Sequence, residues 1–214
     1  MKNLLTSPFE FREALEARLK LPLPGSAAQD AMSSRARLPL QSYLDKHPDY
    51  RTSAVMMLLY PVQGEMHTMI IKRPSYDGIH SGQLALPGGK KEQDETPVQT
   101  AIRETLEEVG VTVSPDEIVG DLTPLYIPPS NFLVHPFVAW LSHAPTYMID
   151  EREVDIVMQV PLTMFLDESL KSRRRIHIGT NTFIDAPCFL VQNETLWGAT
   201  AMIFAELESL LKGA

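Results

Sequence analysis

The chain has 214 residues, a net charge of −8 from 19 Lys and Arg against 27 Asp and Glu, and a hydrophobic fraction of 44%. That length can bury about 70% of the unfolded surface in one large domain, or in one domain plus an appendage, without staples. The acidic balance argues against nucleic acid held on a broad basic surface, no apolar run approaches the ~20 residues that span a bilayer, and the single cysteine, Cys188, excludes an internal disulfide and a cysteine-rich zinc site. The first residues lack the charged-then-apolar pattern of a signal peptide, so the expected compartment is the cytoplasm.

Residues 9–22 place Phe9, Leu15, Leu19 and Leu21 among charges and predict an amphipathic helix that stops near Lys20, ahead of Pro22. Residues 22–50 read as an arm with few periodic signals, so 1–50 is expected to be an N-terminal helix and arm ahead of a main domain over 51–214. Apolar runs at 54–60 and 68–72, separated by Gln63 and Gly64, predict a hairpin of buried strands. Residues 73–96 are rich in Gly, Pro, Ser and charge and read as a long loop, a length that usually signals function or disorder. Residues 97–109 read as a helix, with Pro97 in the first turn and Gly110 at its end. Strands are expected at 122–127, 132–141, 175–178 and 182–184, the last two joined through Gly179, Thr180 and Asn181. An amphipathic helix over 199–212 closes the chain. Strands mixed irregularly with helices favour an α/β fold with a mixed sheet and helices on its faces.

The helix at 97–109 carries the chemistry. On a wheel of about 100° per residue, with Glu104 at zero, Glu107 falls near 300° and Glu108 near 40°. Val98, Ile102, Leu106 and Val109 lie at about 120–200° and are expected to form the core face. Three acids on one face repel each other, and two of them sit in the last turn, where the helix dipole disfavours anions. Arg103 relieves part of this; a hard divalent cation such as Mg²⁺, which takes carboxylate and phosphate oxygens, would relieve the rest. A solvated acidic face is the plain alternative. The Gly-rich turn Leu86-Pro87-Gly88-Gly89 just upstream, flanked by Lys72, Arg73, Lys90 and Lys91, favours a site where bare backbone approaches an anion.

Gly89, Glu95, Arg103, Glu104, Glu107, Glu108, Gly110 and Val111 reproduce the spacing G-x5-E-x7-R-E-U-x-E-E-x-G-U, where U is aliphatic; Thr105 is the one departure. The segment resembles the Nudix box. The resemblance implies an α/β/α sandwich and metal-dependent hydrolysis of a diphosphate joined to another moiety. It implies that Glu104, Glu107 and Glu108, helped by the Gly88 carbonyl, serve Mg²⁺ or Mn²⁺. It also implies that Glu95 and Arg103 pair to orient loop and helix, with Gly89 and Gly110 structural. The ions would neutralise the diphosphate and activate water.

Upstream, Arg73, Gly82, Pro87, Gly88 and Gly89 match L-L-T-x-R-S/A-x3-R-x3-G-x3-F-P-G-G, while Ile71, Pro74, Gly78 and Leu86 depart from it. This is similar to the signature of the coenzyme A pyrophosphatase branch. The segments around Glu153-Val154 and Leu196-Trp197 are also similar to that branch, and the likeness covers roughly 54–211. It implies cleavage of coenzyme A or acyl-coenzyme A to 4′-phosphopantetheine, or its acyl form, and adenosine 3′,5′-bisphosphate. A small-molecule diphosphate is then the partner, with no nucleic acid, no membrane and room for a homodimer. Arg73, His80 and Lys90 are the candidate substrate residues and Glu153 the candidate general base, with Glu151, Asp155 and Glu104 as alternatives. The missing cation at Gly78 keeps another nucleoside diphosphate derivative, a nucleotide sugar or a dinucleotide, as the second reading. A catalytically silent binding module of the same fold is a third. The basic run Lys171, Arg173, Arg174 and Arg175 reads first as solvated charge. Cys188 is not expected to be a nucleophile, and Phe189 and Trp197 are expected in the core.

Overall fold

The computed structural model describes residues 5, 7–74, 82–178 and 182–213. Its centre is strand β1, Arg51–Val62, whose side chains alternate between two cores. Met57 and Leu59 point into one apolar cluster, and Ala54, Met56, Leu58 and Tyr60 into the other. A strand covered on both faces has no polar side, which is why its sequence is continuously apolar. β2, Glu65–Lys72, returns antiparallel through Gln63 and Gly64, both at positive φ, the conformation of a tight hairpin turn.

β1 and β2 pair only near this turn, Leu59 to Val62 against Thr68 to Glu65. Beyond it they splay, and the expected loop 73–96 supplies two short strands that fill the fork. β3, Leu84–Ala85, pairs with the far end of β2, and β4, Gly88–Lys90, pairs with the start of β1. The composition of 73–96 hid them because strands this short carry no periodicity.

The N-terminal segment differs from its reading in detail. α1, Pro8–Leu19, buries Phe11 and Leu15, whereas Phe9 is 68% exposed and Leu21 63%. The arm is not featureless: α2 (Ser26–Gln29), a 3-10 turn at Asp30–Met32 and α3 (Leu40–Lys46) occupy it. Helices of four and seven residues are too short for a periodic pattern to register.

α4, Pro97–Val109, packs on β1 and β4. Of the expected strand 122–127 only Leu125–Ile127 is strand, β6; Ile118–Asp121 forms β5 just before it. Both lie on β7, Phe132–Trp140, which runs parallel to β1 and makes the sheet mixed. β8, Ile156–Pro161, covers the outer edge of β2 and leads into the short helix α5, Thr163–Leu166. A second, antiparallel sheet holds β9 (Lys171–His177), β10 (Phe183–Val191) and β11 (Glu194–Trp197), the first two much longer than the expected 175–178 and 182–184. The connection 179–181 lies outside the described residues. α6, Gly198–Lys212, packs on this second sheet and on the face of the main sheet opposite α4. Phe204 and Leu207 of α6 share one core with Phe11, Leu15 and Met32 of the N-terminal segment. The layers are therefore helix, mixed sheet, then helix with a small sheet: an α/β/α arrangement.

α4 is also rolled relative to its wheel. Ala101, Thr105, Glu108 and Val109 are buried, while Leu106, expected in the core, is 49% exposed. The buried arc centres nearer Glu108 than Leu106. Two contacts make that phase tolerable: Thr105 Oγ1 donates to the Ala101 carbonyl at 2.7 Å, and Glu108 finds a backbone donor. Polar groups with partners can be buried at modest cost, so the site, not hydrophobicity alone, sets the roll of this helix.

Candidate active site

The fork between β1 and β2 presents the Gly88–Gly89 backbone to α4. A Cβ at Gly88 would sit 2.3 Å from the Ala54 carbonyl, and one at Gly89 would sit 2.4 Å from the Glu104 carboxyl carbon. Both positions need the absence of a side chain, which lets strand and carboxylate close on each other. Gly88 N–H donates to Glu108 Oε2 at 2.8 Å, and Arg73 lies 3.7 Å from Glu108 Oε1.

Glu104, Glu108 and Glu153 converge, each offering an oxygen within 4.8 Å of the others. Glu153 reaches the cluster because its loop is tied to the end of α4. Met148 N–H donates to Val109 O at 2.9 Å, Asp150 N–H to Glu108 O at 3.0 Å, and Val154 is buried. Glu151 and Asp155 are exposed and outside the cluster. Burial pushes the Glu108 carboxyl up to about 7, with Glu104 and Glu153 adding to the rise and Arg73 and the Gly88 N–H opposing it. Burial likewise raises Glu104, against the pull of Arg103. Three close carboxylates with insufficient positive charge fit a divalent cation, which takes oxygen ligands and removes the repulsion.

Arg103 organises the neighbourhood. Its Nε and Nη2 reach both oxygens of Glu95 at 2.6 and 3.1 Å, and Nη1 donates to Glu104 at 2.9 Å and Glu107 at 2.8 Å. Nη2 also donates to the Lys90 carbonyl at 3.2 Å. This bidentate pair holds Glu95 ionised down to about 2 and fastens the segment before α4 to its middle. Glu107 is largely exposed, bonded to Arg103 and outside the three-carboxylate cluster. Thr96 and Gln99 form a capping box at the start of α4, and Gly110 ends it at φ 69.

A cleft of about 730 Å³ is lined by Arg73, Gly88, Gly89 and Lys90, the last three on the strand that meets the glutamates. The arm's share of it was not legible in the sequence: Met32, Arg35, Arg37 and Tyr43 contribute to the lining, with no motif to mark them. Trp197, expected in the core, lines the cleft, whereas Phe189 is buried against Phe165. Cys188 is buried, with burial raising its thiol, so it is no nucleophile poised for attack. The basic run lies on β9 and is largely engaged there: Lys171 with Glu168 and Glu208, Arg173 with the Asp185 carbonyl, Arg175 over the Phe183 ring. His80 and Gly78 lie outside the described residues.

A mixed-sheet α/β/α fold with clustered glutamates on one helix defines the class of this chain. It belongs to the Nudix family: the NUDIX domain model matches residues 50–175. It is 30% identical over 178 residues to Nudix hydrolase 15, mitochondrial, of Arabidopsis thaliana, an alignment covering 80% of this chain and 62% of that protein. It is 30% identical to the peroxisomal coenzyme A diphosphatase ndx-8 of Caenorhabditis elegans, over 62% of this chain and 58% of that one. It is 31% identical to the human mitochondrial coenzyme A diphosphatase NUDT8, over 71% and 66% respectively. The chain thus spans about six-tenths to two-thirds of the length of these relatives. The fold is shared with the MutT protein of Methanosarcina mazei Go1, with a TM-score of 0.52 at 19% identity, covering 77% of this chain and 96% of that one. No helix among the described residues is long and apolar enough to cross a membrane.

Proposed function

We propose that this chain hydrolyses the diphosphate of coenzyme A or acyl-coenzyme A in a metal-dependent reaction, releasing 4′-phosphopantetheine, or its acyl form, and adenosine 3′,5′-bisphosphate. The observation that carries the reading is the convergence of Glu104, Glu108 and Glu153 beside the Gly88–Gly89 wall of a substrate-sized cleft. The names of two relatives, ndx-8 and NUDT8, support the choice of coenzyme A.

Glu104 and Glu108, with the Gly88 carbonyl, would hold Mg²⁺ or Mn²⁺, and Glu107, which lies outside the cluster on Arg103, would join them by leaving that pair. The ion supplies charge neutralisation of the diphosphate and a more acidic water. Glu153, exposed at the edge of the cluster, accepts a proton from the attacking water at its carboxylate. Arg73 and Lys90 meet phosphate oxygens, a role that the signature loop also gives His80. Arg103 keeps Glu104 and Glu107 oriented while Glu95 neutralises it. Phosphoryl transfer asks mainly for such positioning and charge balance.

A side-by-side panel of coenzyme A, an acyl-coenzyme A, a nucleotide sugar and a dinucleotide, with Mg²⁺ or Mn²⁺ and products identified by mass, tests the reading. Coenzyme A or its acyl form should give the highest kcat/KM. Preferential turnover of another member would establish the second reading, which the missing cation at Gly78 favours.

A further inference from the structure

The cleft lined by Arg73, Gly88, Gly89 and Lys90 is walled in part by the N-terminal arm, and the arm is fixed there. Glu206 of α6 is fully buried, and both of its oxygens are spent on this attachment. Oε1 accepts from Gly25 N–H at 3.0 Å and Thr123 Oγ1 at 2.6 Å; Oε2 accepts from Gln29 Nε2 at 2.9 Å and Thr123 N–H at 3.2 Å. A buried carboxylate is tolerable only with such donors, and here they come from the arm and the segment between β5 and β6. Further along, Arg37 Nη2 donates to the Tyr126 carbonyl at 2.5 Å and its guanidinium lies over the Tyr43 ring at 5.5 Å. Between these anchors Ser33 Oγ donates to the Arg35 carbonyl at 2.6 Å, fixing the local backbone.

Arg35 itself is different from its neighbours. It lines the same cleft as Gly88, Gly89 and Arg73, yet its exposed side chain makes no hydrogen bond or ion pair among the described residues. Arg37, two positions on, is fully engaged. In a chain of net charge −8, an uncommitted guanidinium held on a pinned backbone in the cleft that Gly88 and Gly89 also line is suited to an anion. Arg73 and Lys90 line the cleft beside Gly88 and Gly89, where the proposed function puts the diphosphate. Arg35 belongs to a different segment, the arm between the 3-10 turn and α3, so an anion that it meets is read as a second one, carried on the same substrate.

We propose that Arg35 is a specificity-determining residue that binds a phosphate monoester on the nucleoside side of the substrate, apart from the diphosphate. The proposal rests on the hydrolase reading above; in coenzyme A the group would be the ribose 3′-phosphate. The planar donor fork of Arg35 matches phosphate oxygens, and one such charge-assisted contact is worth roughly tenfold or more in binding.

Steady-state kinetics with coenzyme A and with dephospho-coenzyme A, which differs only by that phosphate, test it. Arg35→Ala should raise KM for coenzyme A about tenfold with kcat little changed, and leave KM for dephospho-coenzyme A as in wild type. Arg35→Lys should recover part of the loss, and Arg173→Ala on β9 should change neither substrate. Equal effects of Arg35→Ala on both substrates, or none on either, would overturn the proposal while leaving the hydrolase reading in place. A wild-type protein that cleaves neither substrate would remove that reading and this proposal with it.

Discussion

Glu108 concentrates the chemistry of the site in one side chain. It is 1% exposed, takes one backbone N–H, and faces Arg73 at 3.7 Å together with two other carboxylates. Burial first, with the two carboxylates adding and Arg73 and the N–H opposing, raises its carboxyl to about 7. For a raised acid the fold favours the neutral form. Without metal, this residue therefore makes folding less favourable as pH climbs from the ordinary carboxylate range, about 4.3, towards 7. A divalent ion needs the ionised form. Metal binding is expected to release up to one proton from Glu108 near pH 6 and almost none above about pH 8, with affinity rising between the two. Calorimetry of Mn²⁺ binding in buffers of different ionisation enthalpy measures this directly; no proton release at the lower pH would contradict it. The three acids of α4 and their spacing were legible in the sequence. That Glu108 would be the buried one was not, because its burial depends on the Gly88 N–H, which reaches it from β4.

At the scale of elements, α4 was well marked by Pro97, Gly110 and its hydrophobic period, but its roll was not. The wheel put Leu106 inside, and the structure exposes it in favour of Glu108 and Thr105. Hydrophobic pattern predicts phase only where apolar burial outweighs every other force on the helix, and here close carboxylate–backbone contacts compete with it. The wedge strands β3 and β4 were illegible for a different reason: two and three residues are too few for alternation to register. Gly110 couples helix end to site. It sits at φ 69, and a Cβ there would approach the Met148 carbonyl to 2.8 Å, in the loop that carries Glu153. Gly110→Ala should therefore cost about 1–2 kcal/mol in stability and lower kcat by shifting Glu153. Urea unfolding and steady-state kinetics on the same variant check both, and an unchanged unfolding midpoint would contradict the strain argument.

For the molecule as a whole, the order of strands and helices pointed to a mixed sheet with helices on its faces and the resemblance to the Nudix box implied the α/β/α layering, whereas neither pointed to the role of the N-terminal arm. Its contacts are made at long sequence separation, Arg37 with Tyr126 and Gln29 with Glu206, and neither leaves a local pattern. The wedge strand β4 touches both α4 and the cleft that the arm helps to wall, so the proposed site draws on segments spread along the chain. The charge that first argued against nucleic acid is partly explained by that site, since residues 89–111 hold six acids against three bases. The most direct measurement is product-resolved hydrolysis of coenzyme A with and without Mg²⁺ or Mn²⁺, in wild type and in Glu108→Gln. Adenosine 3′,5′-bisphosphate and 4′-phosphopantetheine should appear only with metal, and kcat should fall by at least about 10²-fold in the variant. Wild-type activity independent of added metal after chelation, or a Glu108→Gln protein as active as wild type, would contradict the metal-dependent reading of the site.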